Sequence, residues 1–180
     1  MKRKLYLFLI SAALFASSSL RADITSNLLL HYTFDNVTGG VVPDASGHSL
    51  DGMLMGAAVP GAGFGATGSS ISLTNAADYV QLPNDVTTTL SDYTVACWVN
   101  LATINYWGRI FDFGNGTTTN MFLCPQDGKP YYAIKQTDAG GEQSIKSTTA
   151  IVANTWTHVG RIGSLDAGLH VVDNAEQLAV

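Results

Sequence analysis

Short runs of strand-forming residues recur along this chain, and turn-forming residues end each run. The clearest run, 93–100, carries apolar residues on both faces of a two-residue alternation, which is typical of a well-covered central strand. No long helical period is visible, and the only glutamates are Glu142 and Glu176. Many short strands with Gly, Pro, Asn and Asp turns between them predict an all-β fold, a two-sheet antiparallel β-sandwich of the jelly-roll type.

The other predicted strands share this pattern of apolar or β-branched residues followed by a turn. They are residues 28–34, 52–55, 70–73, 79–82, 109–113, 120–123, 131–134, 144–147, 156–161 and, more weakly, 169–172. The glycine-rich segment 60–68 is predicted to be a loop. Trp98 and Trp156 lie on predicted strands and are predicted to be core residues.

The N-terminus has the layout of a secretory signal peptide, which we assign to residues 1–22. Lys2, Arg3 and Lys4 precede a short apolar run and a stretch of mostly small and polar residues. The run is shorter than the roughly 20 apolar residues that span a bilayer, so no membrane span is expected. We therefore predict a protein that is secreted, periplasmic or on the cell surface, with a single domain over residues 23–180.

The predicted mature domain is acidic. Four of the nine basic residues lie within residues 1–22, so five remain against fourteen acidic residues, a net charge of −9. Nucleic-acid binding is not expected, because phosphate contacts need clustered Lys and Arg. Two cysteines follow, Cys97 and Cys124, for which a disulfide and two separate thiols are both open interpretations in an exported chain.

Five segments in order resemble the laminin-G-like jelly-roll domains of the concanavalin A-like superfamily. They are LLLHYTFDN at 28–36, VVPDASGHSLDGML at 41–54, YVQLP at 79–83, LSDYTVACWVN at 90–100 and NTWTHVG at 154–160. The resemblance implies the sandwich fold and a carbohydrate-binding or adhesion role. Family members usually continue with further strands after a Val-Asn-Gly or Val-Asp-Gly turn, which 168–174 matches imperfectly. We therefore expect the domain to be incomplete at its C-terminal end, and the alternative is a divergent, shortened domain that still closes.

The sequence lacks the carboxyl pairs and motifs that catalysis in this kind of fold requires. Glycosidases need two carboxyl groups a fixed distance apart, and sandwich glucanases typically carry a Glu-x-Asp-x-x-Glu strand. Here the two glutamates lie in unrelated contexts, and no Gly-x-Ser-x-Gly or His-Glu-x-x-His motif occurs. We therefore predict a protein that is not an enzyme. The alternatives are an accessory-domain fragment of a larger secreted glycoside hydrolase and a purely structural surface domain.

Aromatic and planar polar residues that suit sugar binding cluster at 106–109. Sugars stack on aromatic rings, and their hydroxyl groups form hydrogen bonds with planar polar side chains. Tyr106, Trp107 and Arg109 form the first candidate group, and Tyr132, with Tyr131 and Gln136 near it, forms the second. The predicted partner is a polysaccharide or glycoconjugate. The alternative for Trp107 is a core position under its loop.

A structural Ca²⁺ is the candidate cofactor, since members of the resembled family often carry calcium near the corresponding loops. Asp35, Asp44 and Ser46 are the candidate ligands, because calcium takes six to eight oxygens from carboxylates, hydroxyls and loop carbonyls. The alternative is that Asp44 and Ser46 only form side-chain-to-backbone turns.

Overall fold

The computed structural model describes residues 28–65, 68–84, 86–88, 90, 92–136, 141–163 and 170–173. Within these ranges all regular structure is β-strand, in agreement with the predicted all-β class. The strands are β1 (Val41–Val42), β2 (Gly52–Met55), β3 (Val59–Ala62), β4 (Ser69–Ser72), β5 (Tyr79–Gln81), β6 (Tyr93–Val99), β7 (Phe111–Asn115), β8 (Thr119–Gln126), β9 (Lys129–Lys135), β10 (Gln143–Lys146), β11 (Thr157–Gly163) and β12 (His170–Asp173).

Every strand pairing in the described part of the chain is antiparallel. A four-stranded sheet has the order β10-β9-β8-β7, and a three-stranded sheet has the order β12-β11-β6. The remaining strands form a second three-stranded sheet, with the order β1-β2-β5, and the β3–β4 hairpin. Hairpins connect β7 to β8, β8 to β9 and β9 to β10, so local pairing fixes the register of the whole four-stranded sheet.

The main core lies between the four-stranded sheet and the β6–β11 pair. Leu123 and Tyr132 project from the inner face of the four-stranded sheet, and Val159 projects toward them from β11. Partly buried side chains of β6, including Cys97 and Val99, complete this layer. Burial of such apolar surface is the main favourable contribution to folding, at roughly 25 cal/mol per Å². The two packed layers agree with the predicted sandwich.

The prediction of a strand at residues 28–34 is wrong. This segment is tied down by side chains instead of a strand ladder: the His31 N–H donates to Asp44 Oδ1 at 2.9 Å, and the Tyr32 hydroxyl donates to the Leu50 carbonyl at 2.7 Å. Phe34 has φ of 64°, a left-handed conformation that ends an extended run. The apolar pattern therefore indicates only partial burial here and not sheet pairing.

The prediction of a loop over residues 60–68 is wrong in part, because β3 extends to Ala62. The Gly-rich turn that follows joins β3 to β4 in a hairpin, with Gly65 at φ of 77°. Gly63 has no room for a side chain, since a Cβ there would lie 2.5 Å from the Ser69 carbonyl oxygen. Glycine in this segment permits a tight hairpin where composition alone indicated a loop.

The predicted signal peptide and the predicted incompleteness of the C-terminal end concern residues about which the structure gives little or nothing. The signal peptide assigned to 1–22 lies outside the described residues, as does most of the segment after Gly163. Among the residues that are described, no helix is long and apolar enough to cross a bilayer.

Candidate functional site: a cleft on the outer face of the four-stranded sheet

The four-stranded sheet carries two different faces, as its register requires. Phe111, Leu123 and Tyr132 are cross-strand partners on the inner face and belong to the main core. On the outer face, Asp112 lies opposite Phe122, and Asn120 lies opposite Lys135. Because side chains alternate along each strand, these outer residues point away from the core.

A cleft of about 560 Å³ opens on this outer face, within the size range of small-ligand sites. We call it the Trp107 cleft. It combines aromatic surface with charged and amide groups, the two elements that sugar recognition needs. Its side chains include Trp107, Arg109, Asp112, Asn120, Phe122, Lys135 and Glu142.

Trp107 lies at the edge of the cleft and is 56% exposed, so the alternative that it packs as a core residue is wrong. Its ring meets Tyr106 edge-on, with ring centroids 5.0 Å apart, and Phe122 at 6.4 Å. Large aromatic residues are usually buried, and one that stays exposed over a cleft is a candidate for ligand stacking.

Arg109 contacts Phe122 and Asp112 on the strands of the cleft and also Trp107 at its edge. Its guanidinium lies 3.9 Å from the centroid of the Phe122 ring, its Nε donates to Asp112 Oδ2 at 2.9 Å, and its Nη1 donates to the Trp107 carbonyl at 3.2 Å. A planar guanidinium stacked on an aromatic ring is held in one orientation. Tyr106, Trp107 and Arg109 are therefore brought together, as the first candidate group requires.

Tyr132, the residue chosen from the second group, does not belong to this site. It is fully buried, and its hydroxyl hydrogen-bonds the Tyr93 hydroxyl inside the sandwich. Its neighbour Tyr131 lies on the outer face, where its hydroxyl donates to Glu142 Oε1 at 3.2 Å. A strand places successive side chains on opposite faces, and two adjacent tyrosines give no sequence signal for which of them faces the core.

Several cleft residues were missed by the sequence analysis. Asp112, Asn120, Lys135 and Glu142 come from three strands and a loop, and only the pairing of β7, β8 and β9 brings them together. The two-residue alternation of β8 was the only available signal, since it places Asn120 and Phe122 on one face.

The Asp44 loop forms a side-chain-to-backbone turn. Asp44 Oδ1 accepts from the His31 and Ser46 N–H groups, and Oδ2 accepts from the Ser46 hydroxyl and the Leu50 N–H, all within 3.1 Å. Burial raises the pKa of Asp44, but these hydrogen bonds outweigh burial and hold the pKa well below its usual range.

The three predicted calcium ligands do not fit a calcium site in this arrangement. Both oxygens of Asp44 are directed at N–H and O–H donors, and Asp35 accepts from the Ser69 N–H at 3.1 Å, in a separate contact with β4. In the described ranges no group of three or more His, Cys, Asp or Glu residues could hold a metal. Calcium binding by this chain stays a prediction.

A second aromatic group lies on the outer face of the β6–β11 pair. Phe64 stacks on Trp98 with ring centroids 4.1 Å apart, and His158, opposite Trp98 in the register, lies 5.2 Å from the Trp98 ring. Trp98 is 42% exposed, so the prediction that it is a core residue is wrong. Trp156 is half-buried, with its ring edge-on to Phe64. Tyr93, Cys97 and Val99 pack on the main core from the inner face of β6, which leaves Trp98 outside.

Cys97 and Cys124 are separate thiols, so the disulfide interpretation does not hold. Cys97 packs against the main core from β6, whereas Cys124 lies on the outer face of β8 with Phe122 and Ala133. Burial raises the pKa of the Cys97 thiol to about 11 and also raises the pKa of the Cys124 thiol.

We expect the purified protein, without reductant, to give two thiols by Ellman titration in denaturant, since Cys97 and Cys124 are its two cysteines and both are free. In native buffer both thiols should react slowly, because burial and a raised pKa keep them protonated. A count of zero thiols in denaturant would show a disulfide and contradict this arrangement.

Comparison with solved structures identifies a bacterial protein with a similar fold. An S-layer domain-containing protein from Clostridium thermocellum (residues 221–444) aligns with a TM-score of 0.57 and 32% sequence identity, covering 74% of this chain and 67% of that chain. A comparison with curated protein sequences gives no match.

A family model confirms the resemblance seen in the sequence segments. The model described as the concanavalin A-like lectin/glucanases superfamily, of laminin-G type, matches residues 74–168. The matched segment contains β5 to β11 and every residue named for the Trp107 cleft. It covers more than half of the chain, which therefore belongs to the concanavalin A-like lectin/glucanase superfamily.

Proposed function

We propose that this chain is a non-catalytic glycan-binding or adhesion module that acts outside the cell, and that its ligand lies in the Trp107 cleft. The observation that carries the proposal is the exposed Trp107 ring beside a cleft with fixed polar side chains. An exposed aromatic ring offers an apolar surface to one face of a sugar, while amide, guanidinium and carboxylate groups bond its hydroxyls.

The rigidity of the cleft supports this proposal. Arg109 is fixed by Phe122, Asp112 and the Trp107 carbonyl, and the cleft floor is a paired sheet. A site that is already formed loses little conformational entropy when it binds a ligand. The C. thermocellum protein with a similar fold is described as containing an S-layer domain, which supports a cell-surface location for this chain.

The carboxylates of the cleft have structural partners, which favours binding over catalysis. Asp112 is paired with Arg109 at 2.9 Å, and Glu142 accepts the Tyr131 hydroxyl. A glycosidase needs one carboxyl group as the acid and a second as the nucleophile or base, and both carboxylates here are engaged in other contacts.

The proposal is tested by titrating the purified protein with neutral and acidic oligosaccharides in a calorimeter, in calcium and in EDTA. We expect at least one glycan to bind with Kd below about 1 mM, the weak end of specific binding. Reducing-end assays on the same mixtures should show no cleavage. Absence of binding across all glycans would contradict the proposal, and release of reducing ends would contradict its non-catalytic part.

Thermal unfolding of the protein without glycan, in calcium and in EDTA, checks the separate prediction of a structural ion. A higher unfolding temperature in calcium than in EDTA would support a site made of other oxygens than those of Asp44. Equal unfolding temperatures would show that the turn formed by Asp44 and Ser46 needs no ion.

A further inference from the structure

The Trp107 cleft contains one polar atom whose hydrogen-bonding needs are unmet. Asn120 Oδ1 is buried without a hydrogen-bond partner. The other amide atom is accounted for, because Asn120 Nδ2 donates to the Gly116 carbonyl at 3.3 Å. Exchanging the two amide atoms would set an oxygen against that carbonyl, so the contact fixes Oδ1 as the acceptor. A buried acceptor without a donor destabilises the site that contains it.

The backbone around Asn120 leaves the outer face open on one side. Its partner on β7 is Gly114, which has φ of 137° and carries no side chain. A Cβ at Gly114 would lie 2.3 Å from the Thr119 carbonyl oxygen, so the glycine is required by the hairpin geometry. On the other side, Lys135 reaches across to the Thr117 carbonyl at 3.0 Å and forms a wall of the cleft.

The charges of the cleft are balanced. Arg109 and Lys135 supply two positive charges, and Asp112 and Glu142 supply two negative charges. One of the cations is already paired with one of the anions. An anionic ligand would meet two carboxylates in the cleft and a chain of net charge −5, both of which oppose its binding.

We propose that the Trp107 cleft selects uncharged, hydroxyl-rich sugars, and that a ligand O–H donates to Asn120 Oδ1 while the sugar ring stacks on Trp107. This inference rests on the proposed glycan-binding function and specifies its substrate class. Small rotamer changes of the lining side chains admit the hydroxyl, as is common when ligands bind. A sugar with the hydroxyl removed or replaced by a carboxylate leaves the acceptor unmet, and such losses dominate discrimination between ligands.

The test compares neutral gluco-, manno-, galacto- and xylo-oligosaccharides with oligogalacturonates and heparin fragments by calorimetry. We expect a neutral sugar to bind at least about tenfold more tightly than any anionic one, because only the anionic sugar is repelled by the two cleft carboxylates and the net negative charge. Its affinity should change less than twofold between 50 and 500 mM salt, because no net charge is neutralised.

Two variants of Asn120 and one control complete the experiment. Asn120→Ala should weaken neutral-sugar binding about tenfold, while Asn120→Gln, which keeps both an amide acceptor and an amide donor, should retain more of the affinity than Asn120→Ala. Asn36→Ala, at an exposed turn before β1, should leave binding unchanged. Circular dichroism shows whether each variant is folded, and Asn120→Gln keeps the inference testable should Asn120→Ala unfold.

The outcomes distinguish failure of this inference from failure of the proposed glycan-binding function on which it rests. Tighter binding of anionic sugars, or neutral-sugar binding that Asn120→Ala leaves intact, would overturn the inference while the glycan-binding function stands. Failure of every glycan to bind would overturn the proposed function itself.

Discussion

Replacing Asp78 with alanine is expected to lower the unfolding temperature by at least about 5 °C, because one buried carboxylate holds two loops together. Asp78 Oδ1 accepts from the Ala57 N–H at 2.7 Å, and Oδ2 accepts from the Thr74 and Asn75 N–H groups at 2.9 and 2.8 Å. These contacts join the end of β2 to the turn between β4 and β5. The alanine variant leaves three backbone donors without this acceptor. Differential scanning calorimetry measures the shift.

The pH dependence provides a control for this prediction. The hydrogen bond from Ala57, followed by those from Thr74 and Asn75, lowers the pKa of Asp78 to about 2. A carboxylate whose folded pKa is depressed contributes stability above its unfolded pKa of about 4, and that contribution is lost as pH falls toward 2. The difference between Asp78→Ala and the unmodified protein should therefore shrink below about pH 4.

A matched carboxylate elsewhere makes the Asp78 result specific. Asp92 is exposed immediately before β6, and Asp92→Ala should shift the unfolding temperature by less than about 2 °C. Equal shifts for the two variants would show that Asp78 contributes only its charge.

Trp107→Ala is expected to abolish measurable glycan binding, or to weaken it at least about thirtyfold, without unfolding the protein. Central aromatic anchors of binding sites cost about 2 kcal/mol or more when truncated, which is roughly thirtyfold in Kd. The Trp107 ring is largely exposed, so its loss should change the unfolding temperature by no more than about 3 °C. Calorimetric titration with the tightest glycan measures the loss.

Trp98→Phe is the matched control, because Trp98 is also exposed but lies on the outer face of the other sheet. Its affinity should equal that of the unmodified protein. Trp107→Phe, which keeps a stacking ring, should lie between Trp107→Ala and the unmodified protein. Intact binding in Trp107→Ala would remove this residue from the site.

The fold was predictable from the sequence where strands alternate and turns are marked by glycine or proline. The 52–55 strand matches β2, and the predicted 79–82 and 93–100 strands differ from β5 and β6 by one residue. The prediction fails at 28–34, where the side chain of Asp44, distant in sequence, replaces the strand ladder. Propensity describes local preference, and tertiary hydrogen bonds override it.

The candidate site was predictable only in its contiguous part. Tyr106, Trp107 and Arg109 follow one another along the chain, so composition alone marked them. Asn120 and Lys135 meet through the pairing of β8 with β9, which no local pattern specifies. The choice between Tyr131 and Tyr132 depends on register, and a one-residue difference reverses which face a side chain occupies.

The most direct measurement of the central claim is a titration of the ¹⁵N-labelled protein with its tightest neutral oligosaccharide, observed at the indole N–H signals of its three tryptophans. Trp107→Phe and Trp98→Phe assign the signals. A ligand in the Trp107 cleft should shift the Trp107 signal progressively and leave those of Trp98 and Trp156 in place. Shifts at Trp98 or Trp156 with an unmoved Trp107 signal would contradict a binding site on the outer face of the four-stranded sheet.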